Sequence, residues 1–301
     1  MEVKRLAVLP GHQNPIFTIE TSQKPHLFFT GGNDLGVVEW SLKTMNVVKV
    51  LIPVKSSVYA LHAPSGKNII VVGERSGKLS VFDFNEQKVV AILTKHEKPI
   101  FDIKSSNVLN QIYAASEDGI LSIWSMKDYS LIYSFKVSDQ PLRTIAISPD
   151  EKHMALGGKD NIIRIYDMDD FSLIQEMEGH TLPVFSLQFS PDGKLLFSGS
   201  RDAQLKIWET DNYQLKQNIP AHMYAINDIA FHPTLPFFAT ASMDKSIKIW
   251  GTDDLKLYKK IDLTKTESHS KSVNKLAWST FNDSLISVSD DKMVMVWAVT
   301  F

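Results

Sequence analysis

From Gly179 to Trp208 the chain runs as short apolar-rich stretches separated by turn residues. Val184-Phe185-Ser186-Leu187-Gln188-Phe189 alternates apolar and polar positions and breaks at Ser190-Pro191-Asp192-Gly193. Leu195-Leu196-Phe197-Ser198-Gly199-Ser200 follows, then a tight turn at Arg201-Asp202-Ala203, then Gln204-Leu205-Lys206-Ile207-Trp208. Runs of this kind, bounded by turn residues, predict three successive antiparallel strands, a, b and c. The Pro-Asp-Gly cluster turns the chain because proline presets φ and glycine accepts positive φ. A fourth run, d, comes between such units, as at 47–51, 89–93 and 131–135.

The unit recurs. Trp40, Phe82, Trp124, Tyr166, Trp208 and Trp250 stand 42 residues apart, and Trp297 follows after 47. A fixed period of this length marks a repeat architecture. Seven copies of four strands predict an all-β fold, a seven-bladed β-propeller of four-stranded antiparallel blades spanning 1–301 as one domain. Only four residues follow Trp297, too few for a turn and a strand d. Residues 3–9 lie 42 positions before the strand-d segment that ends at Leu51. The N-terminal strand, residues 2–9, is therefore expected to complete blade seven. That closure would remove exposed sheet edges and make each blade depend on its neighbours.

Composition narrows the classes of function. Lys plus Arg (32) nearly balances Asp plus Glu (34), so overall charge does not draw the chain to nucleic acid or an anionic membrane. There is no cysteine, which excludes disulfides, thiolate metal sites and a cysteine nucleophile. The N-terminal apolar run is too short for a signal peptide, and no stretch reaches the roughly 20 apolar residues that span a bilayer. A soluble, cytoplasmic protein without membrane attachment is expected.

Polar residues keep the same period. Twenty-eight positions before the aromatic markers stand His12, His96, His180, His222 and His269; six before stand Asp34, Asp118, Asp160, Asp202, Asp244 and Asp291. Ten before, Thr30, Ser198, Thr240 and Ser287 accompany a histidine, whereas repeats with Val54 or Ser138 in its place carry Val72 or Leu156. Residues that change together within one chain are expected to touch. These offsets, with the Gly11-His12 and Gly179-His180 dipeptides and the closing tryptophans, resemble the WD-repeat family of seven-bladed propellers over essentially the whole length.

The resemblance implies hydrogen-bonded tetrads joining strands a, b and c: His12/Thr30/Asp34/Trp40, His180/Ser198/Asp202/Trp208, His222/Thr240/Asp244/Trp250 and His269/Ser287/Asp291/Trp297. In blade two Val54, Val72, Ser76 and Phe82 remove the network nearly whole, as expected where a half-satisfied buried network is worse than none. Blade four keeps Asp160 beside Ser138, Leu156 and Tyr166. In blade three Ala114 replaces the hydroxyl, so Trp124 needs another acceptor. Because His, Asp and Ser recur at matching offsets in several blades, they are read as structural rather than as a catalytic triad.

Family geometry further implies that the His-bearing d–a loops and Asp-bearing b–c turns share one face, the top. Five residues after the histidine position this face would carry Phe17, Tyr59, Phe101, Arg143, Phe185, Asn227 and Asn274. Arg75, Lys159, Arg201 and Met243 stand one before the turn-aspartate position, which is Ser76 in blade two. Aromatic and arginine side chains dominate binding hot spots, so Phe17, Tyr59, Arg75, Phe101, Arg143, Lys159, Phe185, Arg201 and Met243 are the expected partner-binding residues. The five extra residues of the last repeat fall near 263–268, a polar loop expected to rise above the top face between blades six and seven.

The leading expectation is a non-catalytic scaffold that binds a protein or peptide on its top face, the partner carrying acidic or phosphorylated groups. Membership of a larger complex fits this reading. A propeller-type hydrolase with a channel active site is the alternative, but the inferred rim holds only Glu117 and Asp290 as carboxylates, and such reactions usually need several or a metal. A nucleic-acid-binding propeller could stack bases on the rim aromatics; net acidity weighs against it. No cofactor and no metal is expected.

Overall fold

The structure of the protein, a computed structural model, describes residues 1–300, and Phe301 lies outside them. Among the described residues the chain forms seven four-stranded antiparallel sheets, each folding outward in the order a, b, c, d. Blade one runs through Ile16–Thr21, Leu27–Gly32, Gly36–Ser41 and Asn46–Pro53. Blade seven takes strands a to c from Val273–Ser279, Ser284–Ser289 and Val294–Thr300, and its outer strand from Glu2–Leu9. That N-terminal strand pairs antiparallel with Val294–Thr300, from Glu2 opposite Thr300 to Leu9 opposite Val294.

The apolar core lies between blades. Seven clusters of buried residues are present, each shared by two neighbours. The cluster that closes the ring joins Ile16, Ile19, Phe28 and Trp40 of blade one to Ile286, Val288, Val294 and Val296 of blade seven. Alternating side chains send both faces of each sheet into such a cluster, which explains why single blades cannot bury their own surface.

All seven innermost strands carry one irregularity. The ladder between strands a and b skips a residue in each blade: Phe17, Tyr59, Phe101, Arg143, Phe185, Asn227 and Asn274 are left unpaired. A β-bulge of this kind re-aims a side chain and leaves the local ladder incomplete. Two residues beyond the bulge, amides on the open inner edge of strand a find partners in the preceding blade. Ile145 N donates to Asp102 Oδ2 (2.8 Å), Leu187 N to Thr144 Oγ1 (3.2 Å), Ile229 N to Ser186 Oγ (3.0 Å) and Leu276 N to Asp228 Oδ2 (2.9 Å). Inner strands are thus hydrogen-bonded from blade to blade at their crowded centre.

The extra residues of the last repeat form a single helical turn, Leu263–Thr266, started by Asp262, whose carboxylate accepts from Thr264 N. Arg5 of the N-terminal strand donates to both the backbone and the carboxylate of Glu267. The insertion is therefore fastened to the outer strand of blade seven, at the periphery of the ring. It does not lean over the central cavity.

Candidate functional site

The polar networks fix one end of the ring. In blade one His12 Nδ1 lies 2.6 Å from Asp34 Oδ2, His12 Nε2 lies 2.8 Å from Thr30 Oγ1, and Trp40 Nε1 donates to the same hydroxyl at 2.7 Å. The contacts repeat for His180, Asp202, Ser198 and Trp208, for His222, Asp244, Thr240 and Trp250, and for His269, Asp291, Ser287 and Trp297. Blade three reaches the same arrangement differently. Ser122, on strand c directly opposite Ala114, takes the hydroxyl role: His96 Nε2 lies 2.7 Å from Ser122 Oγ, and Trp124 Nε1 donates to it at 2.8 Å.

These networks order their protons. Trp N–H donates to the hydroxyl; with a neutral imidazole the hydroxyl donates to Nε2 and Nδ1–H donates to the carboxylate. Burial accordingly pushes the pKa of His12 and His222 down, against the pull of their aspartates. Burial works against ionisation of Asp202, yet the hydrogen bond from His180 and those from the Gln204 and Thr181 amides outweigh it, holding its carboxyl at about 2. Ser198 is fully buried and already bonded to Trp208, so its hydroxyl cannot reach a substrate.

Where the histidine is missing, other groups fill in. In blade four Ser138 Oγ donates to Asp160 Oδ2 (2.7 Å), and Arg164 bridges Asp160 (2.6 Å) and Glu176 (2.8 Å). In blade two the buried Glu74 accepts from Ser76, and burial raises its pKa above the ordinary carboxylate range.

The bulged residues converge on a cavity of about 470 Å³ at the end carrying the tetrad turns; all seven line it, with Arg75, Pro99, Glu117 and Lys275. Phe17 meets Tyr59 edge-on at 5.1 Å between ring centroids, and Tyr59 stacks on Phe101 at 5.8 Å. The Arg143 guanidinium lies 3.8 Å from the Phe101 ring centroid and 5.7 Å from that of Phe185. Five consecutive blades thus present one unbroken aromatic and cationic arc. Asn227 and Asn274 complete the circle, donating to Val273 O and Ile16 O respectively, both at 2.8 Å.

Two cations lie deep in this arc. Lys275 is paired with Asp228 at 2.9 Å; burial works against its charge, but Asp228 and then Asp102 outweigh that and raise its pKa. Arg143 has no such counter-ion: among the described residues no carboxylate lies within 4.0 Å of it, and its Nε is buried without a hydrogen-bond partner. Burial lowers its pKa, with Glu117 and Tyr59 partly opposing. Lys159, Arg201 and Met243 are exposed on the same b–c turns but outside the cavity lining.

Among the described residues no cluster of three or more His, Asp or Glu side chains is placed to hold a metal ion, and no helix is long and apolar enough to cross a membrane. The sequence reading missed the bulges and Ser122. The bulges do have a signal: buried aliphatics recur three apart rather than two in every strand a, as in Ile16/Ile19, Ile100/Ile103 and Val184/Leu187.

A closed ring of seven blades, pinned by His–Ser/Thr–Trp–Asp networks and opening on an aromatic cavity, defines a repeat-built propeller. The chain belongs to the family described as WD domain, G-beta repeat, whose sequence profile matches residues 87–125, 129–167, 171–209, 213–251 and 261–298. Over 87 residues it is 30% identical to Eukaryotic translation initiation factor 3 subunit I of Candida albicans, covering 28% of this chain and 25% of that protein. It is also 30% identical over 86 residues to the same subunit of Lodderomyces elongisporus, covering 27% and 25%. The matched stretch is thus a quarter of the length of these relatives.

Proposed function

We propose that this propeller is a non-catalytic scaffold that grips a peptide or protein segment in the top-face cavity. The observation that carries the reading is Arg143, a largely buried guanidinium stacked on Phe101 with no counter-ion of its own. A buried charge left unpaired is costly, and such departures from good packing concentrate at functional positions. Phe17, Tyr59, Phe101 and Phe185 offer apolar contact area around it, and Arg75 a second cation. The partner segment would bring an acidic or phosphorylated group to Arg143, since the planar guanidinium pairs bidentately with carboxylate or phosphate. Lys159, Arg201 and Met243 would contact flanking parts of the same partner. The likeness to a subunit of a translation initiation factor favours a place in a larger assembly.

The test is affinity capture from cell extract with the unaltered protein and with Phe101→Ala plus Arg143→Ala, both first shown to be folded. Partners lost from the double variant support the proposal; an identical set of partners refutes it. Capture that survives about 200 mM salt favours a protein partner, whereas steep salt dependence would point to nucleic acid.

A further inference from the structure

A second cavity, of about 450 Å³, lies between blades one and two, bounded by the a–b turns of both blades and the c–d turn of blade two, away from the top-face arc. Glu39 faces it from the middle of strand c. In the other six blades this position holds Val81, Ile123, Ile165, Ile207, Ile249 and Val296, each fully buried (0% exposed) in the inter-blade core. Glu39 is only 9% exposed, and among the described residues its carboxylate makes no hydrogen bond or ion pair. Lys49, opposite it in the ladder, carries its ammonium to Gln87 instead, at 2.8 Å. A repeat with a working apolar solution in six copies has, in one, an acid whose carboxylate opens into the cavity with no protein partner.

We propose that this cleft is a second binding site, which receives an arginine side chain of a partner protein whose neighbouring residues are acidic. The walls suit the arginine: Phe29 and Phe84 stack at 5.4 Å, with Leu51 and Ile69 beside them. A guanidinium can lie on an aromatic face and still pair bidentately with a carboxylate. The mouth sets the flanks. Lys24, Lys49 and Lys67 border the cavity, so a bare cation would be repelled, while acidic residues on either side of the arginine would meet these lysines. A phosphate group alone would satisfy the lysines but would be driven from Glu39.

The probe is the peptide acetyl-Glu-Asp-Arg-Asp-Glu-amide, titrated into the full chain and followed by NMR, with the same peptide carrying alanine for arginine as its pair. Saturable binding that shifts the amide signals of Glu39 and Phe84, weakened about tenfold or more by Glu39→Gln and by the alanine peptide, supports the site. No saturable binding at millimolar peptide overturns it, as does equal binding by Glu39→Gln or by the alanine peptide. Glu39→Val gives a second reading. The site predicts an unchanged or raised Tm, because the valine of blade two and blade seven replaces an unpaired acid; a lowered Tm would make Glu39 structural and overturn the proposal.

Discussion

Ala114 has no hydroxyl to offer Trp124 and His96, yet both find one on Ser122, its cross-strand neighbour. The tetrad is therefore a requirement for an oxygen at one point in space, which either of two facing strands can supply. Ser122→Ala should cost about 1–3 kcal/mol in denaturant unfolding, because it orphans two buried partners. Adding Ala114→Ser to that variant should recover most of the loss; no recovery would mean the position is not interchangeable. The pH response also belongs here. His12 and His222 have lowered pKa values in the folded chain, as do Asp118, Asp202 and Asp291. Stability from lowered groups is full above their unfolded values and is lost as pH falls. The Tm should thus decline on acidification, first below about pH 6.5 from the histidines and again below about pH 4 from the aspartates. A Tm constant from pH 7 to 4 would contradict it. The histidine, aspartate and tryptophan offsets were legible because each keeps a fixed place in the repeat. Ser122 was not, because strand pairing, rather than spacing along the chain, brings it to the site.

At the scale of the element, the innermost strand does the most. Its bulge turns one side chain per blade into the cavity, and in four blades an amide on its open inner edge bonds to the preceding blade. Ser186→Ala should remove the acceptor for Ile229 N and destabilise the protein by about 1 kcal/mol, with little effect on cavity binding. Unfolding curves and binding measured together would check both halves. The strands themselves were readable from alternation and turn residues. The bulge was written there too, in the three-residue spacing of Ile16 and Ile19 and its six counterparts, but that spacing conflicts with the period of two expected of a strand. The insertion at 263–268 was placed in the right connection, yet its direction depends on Arg5, about 260 residues earlier in sequence. No local pattern specifies such a contact.

The whole molecule is a ring held by seven inter-blade cores, and Leu9 of the N-terminal strand completes the one between blades seven and one. Removing residues 2–9 should expose the edge of Val294–Thr300, lower the Tm and promote association, read by thermal melting and light scattering. The period alone revealed the number of blades and their order, and so which side chains neighbour one another around the cavity. It did not reveal that Lys159, Arg201 and Met243 would stand clear of the lining, since turn geometry decides how far each reaches. Nor did it reveal the unpaired state of Arg143, which depends on what fails to lie beside it. The proposed function requires that a partner sit in that cavity. Site-specific photo-crosslinking in cell extract tests this most directly, with the reactive residue placed at Phe185 in the arc or at Ile132 on the exposed outer strand of blade three. A discrete adduct from position 185 and none from 132 is the expected result; adducts from 132 with none from 185 would contradict it.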